Sequence, residues 1–579
     1  MPKPSQPPGK NKKDIYDPPP PEPTPSPTPQ PDPTFNGRIV VDPITRIEGH
    51  LKIETEVVDG KVTEAWSTGT LFRGIEMILK GRNPEDAWLF TQRLCGVCTY
   101  VHGSTSVRCV EDAAGVTIPE NARIIRNLLM GAQYLHDHIV HFYHLHAPDW
   151  VDIPDALQAD LKATSNLATD ISPETNPSIE YFAAVQEKLK LFISSGQLGP
   201  FANAYWGHQE YFLSEEENLL LAAHYLEALK MQAQTARMHA IFGGKNPHVQ
   251  SLRVGGVTCQ REINNNRIAE FLNLLRTTRT FVENYYLPDV KLLAKAYGYY
   301  ASIGGCDNFL AVGEFPGPGP EPDSLFFPRG VIFNRGPVEP LDVEKIVEHI
   351  SHSWYQGDTP LHPSVGVTTP GYTGMNTADR YSWLKAPRYN GWPMADGQPM
   401  EVGPLARVLV AYKSGQPQVV KAVNDFLGQT GLGVNDLCST LGRTAARALE
   451  TQVIAAAMEE WLGQLAPGGS AFRSVAIPAS GMGVAFNEAP RGALGHWINI
   501  QDQKIANYQM VVPSTWNFGP RCANNLAGPA EQALVGIPVL DASKPLEILR
   551  TVHSLDPCIA CAVHVIDPEN DRAYEIKVL

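Results

Sequence analysis

Two cysteine pairs of the form C-x-x-C stand near opposite ends of the chain, Cys95 and Cys98 in RLCGVCTYVHG and Cys558 and Cys561 in DPCIACAVH, with 460 positions from Cys98 to Cys558. If the four sulfurs serve one ion, the two ends of the polypeptide must meet inside the fold. An x-x spacer lets both sulfurs of a pair turn toward one ion at about 2.3 Å. Structural zinc ribbons place their pairs about 15 to 20 residues apart, because the metal staples a module too small to have a core. A chain of 579 residues buries a core without such a staple. Spacing alone leaves three readings open: a catalytic or redox metal, a structural zinc, and two unrelated thiol pairs. Soft thiolates accept zinc, iron-sulfur or nickel alike. Arg93 and His102 flank the first pair, Asp556 and His564 the second, and cations beside thiolates favour reactivity.

The remaining cysteines, Cys109, Cys259, Cys306, Cys438 and Cys522, are scattered. An odd total of nine at irregular spacing is not a disulfide framework, so one metal site plus buried thiols is expected. The formal charge of -14 argues against nucleic acid as a partner, since phosphate binding needs dense basic patches. No run of about 18 apolar residues is present to span a bilayer. Residues 1–36 hold fourteen of the 49 prolines, with no apolar stretch and no twin arginine. That composition predicts a disordered, extended arm with no export signal, so that export would have to rest on a partner.

Local signals place the motifs. Leu51, Ile53, Thr55 and Val57 alternate up to Asp59-Gly60, which predicts a hairpin. Asn83 and Pro84 predict a helix start, which puts Cys95 just past a helix end. Apolar residues recur at helical spacing from Pro119 to about His146, and Ser214 with Glu217 forms a capping box for a helix reaching Phe242. Similar patterns fill 262–297, 417–428 and 440–464. The predicted fold is α+β and mainly α-helical, a long-helix core with small peripheral sheets and hairpins.

The two cysteine motifs together resemble the nickel-binding signatures of the large subunit of nickel-iron hydrogenases. The likeness extends over VDPITRIEGHL, LFRGIE, GGKNPHVQSLRVGGVTC, YSWLKAPRYNG, MEVGPLARVL, EAPRGALGHW and NYQMVVPSTWN, from about residue 38 onward. It implies a catalytic domain over 37–564 that splits dihydrogen reversibly into protons and electrons, in the manner of membrane-associated uptake enzymes. By the resemblance, Cys95 and Cys558 are terminal nickel ligands, while Cys98 and Cys561 also bridge to an iron carrying carbon monoxide and two cyanides. Arg491 corresponds to the arginine over the metals, Asp137 and Asp556 to the carboxylates that orient it, and Glu48 to the first proton acceptor. His102 corresponds to a donor to a bridging sulfur, and Pro513 and Ser514 to the groups facing the cyanides. Glu76, the carbonyl of Met510 and His564 correspond to a magnesium site, consistent with that ion's preference for oxygen ligands.

The resemblance also implies that residues 565–579 are an extension cut off at His564-Val565 by a maturation endopeptidase after nickel insertion by dedicated proteins. No grouped cysteines are left for iron-sulfur clusters, so an iron-sulfur small subunit is expected as obligate partner. A membrane cytochrome or quinone-linked subunit would then take the electrons. The implied location is the outer, periplasmic face of the cell membrane, reached through the partner's signal, with a cytoplasmic relative as the alternative. A hydrogen sensor is the competing function, and the extension past His564 argues against it.

Overall fold

The computed structural model describes residues 34–175, 177–375, 379–389 and 397–562, the last helix without the side chains of 561 and 562. Most of the proline-rich arm, the bond at His564-Val565 and the extension lie outside the described residues.

Long helices form the centre, as their periodicity predicts. α1 spans Val101–Ala113, α2 Glu120–Val140, α3 Glu215–Gly243, α4 Asn265–Phe281, α5 Pro404–Lys413 and α6 Thr440–Gly463. α2 packs between α3 and α6, and α6 also meets α4 and α5. The buried stripe of α2 includes Ile124, Ile125, Leu128, Leu129, Ala132, Leu135 and Ile139. Burial of each large member stabilises the fold by roughly 1.5–3 kcal/mol. The capping box at α3 is complete: Glu217 N–H donates to Ser214 Oγ at 3.2 Å, and Ser214 N–H to Glu217 Oε2 at 2.8 Å. Two helical patterns change hand-hold rather than ending. After α2 the chain continues as a π turn over His141–His146, and after α4 as another over Val282–Tyr286. Such single π turns are frequent at functional sites.

Of three three-stranded antiparallel sheets among the described residues, two bear on the site. The first joins β1 (Gly37–Val41), β2 (Leu51–Val58) and β3 (Lys61–Gly69), with Val58 paired to Lys61 across Asp59-Gly60. Both turn residues have positive φ, 50° and 68°, the conformation a tight hairpin of this hand requires. Leu51, Ile53, Thr55 and Val57 are all buried, so the alternating face is the core face. The second sheet joins β4 (Ser480–Ala489), β5 (Gly492–Gln501) and β6 (Lys504–Val511) and lies against α1. Near the end of the chain come α7 (Pro513–Phe518), α8 (Leu546–Ser554) and α9 (Ile559–Ala562). Cys95, Cys98 and Cys558 belong to the large helical core, whereas Leu555 and Ile559 belong to the core under the first sheet. The terminal segment therefore runs along the seam between two cores.

Candidate metal centre

Asn83 Oδ1 accepts from the N–H of Glu85 at 3.0 Å and starts a short helical run over Pro84–Leu94. Cys95 follows in extended conformation, at the place the cap predicts. Arg73 holds this exit, donating from Nη1 to Leu94 O at 2.7 Å and from Nη2 to Arg93 O at 3.0 Å. The loop then folds back on its own sulfur: the N–H groups of Val97 and Cys98 donate to Cys95 Sγ at 3.2 and 3.1 Å. Two backbone N–H groups therefore converge on one sulfur. His248 Nε2 lies 2.9 Å from Cys95 O.

The second pair arrives from the far end of the sequence. Glu48 and Cys558 form an isolated parallel bridge: the N–H of Ile559 donates to Glu48 O at 2.7 Å, and that of Glu48 to Pro557 O at 3.4 Å. Gly49 has φ +85°, and a Cβ there would stand 2.3 Å from the nitrogen of Ala560, so only glycine permits this approach. Cys558 N–H donates to Ser514 Oγ at 2.9 Å. Upstream, Asp149 ties both strands of the seam together. It accepts from Arg46 Nη2 and pairs with His553 Nδ1 at 2.6 Å, while His553 Nε2 donates to Thr45 O at 2.9 Å.

These contacts bring Cys95 Sγ to 3.4 Å from Cys558 Sγ, and Cys95, Cys98 and Cys558 within 4.8 Å of one another, all buried. The separation is far from a disulfide's 2.05 Å. It matches sulfurs at corners of a tetrahedron about an ion, where a metal-sulfur distance of about 2.3 Å puts them about 3.8 Å apart. The donor set fits a soft transition metal. Among the described residues this is the one group of three or more metal-ligating side chains so placed. The side chain of Cys561 and all of His564 lie outside the described residues.

Arg93 is exposed. The buried cation beside the sulfurs is Arg491. Its Nη1 donates to Asp137 Oδ2 at 3.1 Å and its Nε stands 3.0 Å from Asp556 Oδ1. Burial acts to lower its pKa, but Asp556, Cys558, Asp137 and Cys98 outweigh this and hold it well above its ordinary value. Asp137 is itself fixed by Gln133 Nε2 at 2.6 Å. Arg491, Cys98, Cys558, His102, Pro513 and Ser514 line one small cavity.

Glu48 Oε2 accepts from Cys558 Sγ at 3.4 Å and from the N–H of Ala560 at 3.1 Å. Burial first, and the Cys95 sulfur second, push its carboxyl up to about 7. Pattern alone reads this residue as a surface strand glutamate, because its partner lies 510 positions away. Burial lowers His102 to about 4, so its ring is neutral. Its Nδ1 faces His496 Nε2 at 3.3 Å, and His496 Nδ1 faces the Tyr508 hydroxyl at 2.8 Å.

Glu76 and Met510 also meet, through the Met510 N–H to Glu76 Oε1 at 2.8 Å. The other carboxylate oxygen accepts from the Thr368 hydroxyl and lies 3.7 Å from Lys385 Nζ.

Sequence reasoning misses Gln133, His248, Asp149 and His496 as supports of this site. It also misses Arg407, although a signal for that residue exists. PLARVLVAY sets one arginine in an otherwise apolar helix, and a buried arginine must have partners.

A family model described as nickel-dependent hydrogenase matches residues 73–564, and one described as HoxL-like matches residues 38–66. The uptake hydrogenase large subunit of Bradyrhizobium diazoefficiens is 45% identical, over 93% of this chain and 97% of that protein. The quinone-reactive Ni/Fe-hydrogenase large chain of Wolinella succinogenes is 43% identical, over 93% and 98%. Among solved structures, the [NiFeSe]-hydrogenase of Dm. baculatum superposes with a TM-score of 0.75 at 36% identity, covering 92% of this chain and all of that one.

Proposed function

The chain belongs to the nickel-dependent hydrogenase family as a large, catalytic subunit that oxidises dihydrogen, and from that premise we propose how its own residues serve the reaction. The observation that carries the proposal is the convergence of three buried sulfurs from both ends of the chain, with Arg491 and Glu48 against them.

Cys95, Cys98, Cys558 and Cys561 are the residues that would hold nickel and iron, Cys98 and Cys561 as the ligands shared between the two. Bound there, with carbon monoxide and two cyanides on the iron, the metals would supply a Lewis-acidic centre that polarises dihydrogen. The chain supplies the proton's way out. Held charged by Asp137 and Asp556, Arg491 is a poor acceptor and a strong orienting cation, so it fixes the field over the sulfurs. The proton passes from Cys558 Sγ to Glu48 Oε2, 3.4 Å away, which is its first acceptor beyond the sulfurs. A carboxyl near pKa 7 can both accept and release a proton close to neutral pH. His102 steadies a bridging sulfur, its tautomer set by His496. Pro513 and Ser514 would face the cyanides, and Ser514 also holds the Cys558 backbone. Glu76, the Met510 carbonyl and His564 are the groups that would hold magnesium.

An iron-sulfur small subunit completes the electron path. Among the described residues no helix is long and apolar enough to cross a membrane, so association with the outer, periplasmic face of the membrane is assigned to that partner and to a cytochrome or quinone-linked subunit. The electrons then feed a respiratory chain. The bond at His564-Val565 is the site of maturation cleavage once nickel has been inserted.

Glu48→Gln tests the proton route. It is expected to keep nickel and iron content while lowering hydrogen oxidation by about 10²–10⁴-fold. A parental rate in a fully loaded variant refutes Glu48 as acceptor. Element analysis with infrared spectroscopy of the carbon monoxide and cyanide bands tests the centre. Zinc without iron refutes it.

A further inference from the structure

We propose that Arg407 is a positioning residue for Arg491: buried between two carboxylates, it grips the main-chain carbonyls of the two residues before Arg491 and so fixes where that guanidinium stands over the sulfurs. The inference rests on the reading of Arg491 as the cation facing the reacting site.

The argument begins with the turn that carries Arg491. Ala489 pairs with Gly492, which leaves Pro490 and Arg491 as a two-residue hairpin loop between β4 and β5. Such loops favour types I′ and II′, whose twist suits the flanking strands, and both types require positive φ at the first loop position. Proline cannot adopt it. Arg491 is not among the positive-φ residues either, which excludes type II. The loop is left with a form that splays the strands it joins, so its conformation needs support from outside.

Arg407 gives that support. It sits in the first turns of α5, 1% exposed. A guanidinium has five N–H donors in a rigid fork, and here each one is used. Nε donates to Glu450 Oε2 at 2.9 Å and Nη2 to Glu450 Oε1 at 2.7 Å. Nη1 donates to Glu488 Oε2 at 2.9 Å. The two remaining donors reach Ala489 O at 2.9 Å and Pro490 O at 2.8 Å. The carboxylates are anchored in turn, Glu450 by His138 Nε2 at 2.6 Å and Glu488 by the N–H of Val312 at 2.6 Å.

The glycines at the contact tell the same story. Gly403, just before α5, has φ +122°, and a Cβ there would lie 2.9 Å from Arg491 O. Gly492 has φ +133°, and its Cβ would lie 2.7 Å from Gly403 N. The start of α5 thus presses on the loop so closely that neither position has room for a side chain. Arg491 is clamped on its backbone by α5 and on its side chain by Asp137 and Asp556.

The test uses the full-length enzyme with its iron-sulfur partner. Arg407→Lys keeps the charge but offers three donors from one point in place of the fork. The uncharged variant R407M/E450Q/E488Q removes the three buried ions together, a replacement that need not cost stability. Both are expected to bind nickel and iron as the parent does. Both are expected to lose about 10²-fold in kcat, as a misplacement of about 1 Å can cause. KM for dihydrogen is expected to stay unchanged and the infrared cyanide bands to shift. Crystal structures are expected to show Arg491 moved off Asp137. Parental kcat in the uncharged variant overturns the proposal, as does an Arg491 that keeps its parental distance to Asp137, a readout that needs no metal. If neither variant folds, Gly403→Ala decides: it crowds the Arg491 carbonyl without touching the ion cluster, and an unchanged kcat overturns the proposal equally. Arg491→Lys is the reference. A parental rate there refutes the role given to Arg491, while its position in the Arg407 variants still decides whether Arg407 sets it.

Discussion

The first cysteine pair and Cys558 reach the same centre by opposite means. The first is organised by its own neighbours: a capped helical run delivers Cys95, and the N–H groups of residues 97 and 98 point at its sulfur. The second is organised almost wholly by distant chain. Its supports are Glu48, Ser514 and, through α8, Asp149 and Thr45. One half of the site is therefore formed wherever its loop is formed, and the other only once the first sheet, α7 and α8 have docked. Cys558 is thus the ligand whose place depends on the most distant contacts along the chain.

Three experiments break or sharpen this contrast, taken from the largest effect down. Cys558→Ser is expected to abolish nickel binding. Its crystal structure is expected to keep the N–H groups of Val97 and Cys98 on Cys95 Sγ, and collapse of that loop as well would show that the first pair is not self-supporting. Asp149→Asn is expected to destabilise the chain by about 3–5 kcal/mol, since it leaves Arg46 and His553 buried without their anion. It also changes the acid response. Burial would raise the Asp149 pKa, but Arg46 and His553 outweigh it and hold the group well below the usual carboxylate range. Such a group adds stability above its unfolded pKa of about 3.9, stability that is lost as pH falls below that value. The variant's unfolding free energy is thus expected to fall less steeply below pH 4 than the parent's, and equal slopes would remove Asp149 as the clamp. Ser514→Ala is expected to cost about 1–3 kcal/mol by leaving the Cys558 N–H without its acceptor. Denaturant titration measures that change, and no change would mean the contact adds nothing to closure.

The same contrast governs what could be read from the sequence. Asn83-Pro84, Ser214 with Glu217, and Asp59-Gly60 work within four residues, so each is written out in order along the chain and each stands in the structure. The position of Glu48 beside Cys558 depends on two edges meeting from opposite ends, and nothing local records it. Only the resemblance pointed there. The π turn at His141–His146 escaped for another reason, since the apolar periodicity runs straight through it. Arg407 escaped because an amphipathic pattern ranks residues by face, and an arginine on a buried face reads as an interruption of the pattern. Its five donors give the reason it is there.

The tip of the first cysteine loop carries one more consequence. Cys95 is 1% exposed, yet its neighbour Gly96 is exposed, and a Cβ added there would meet nothing within 4 Å. On this side a single residue without a side chain separates a deeply buried ligand sulfur from the surface. A side chain put at Gly96 would find open space, so the surface there could be built outward without disturbing the sulfur beneath it.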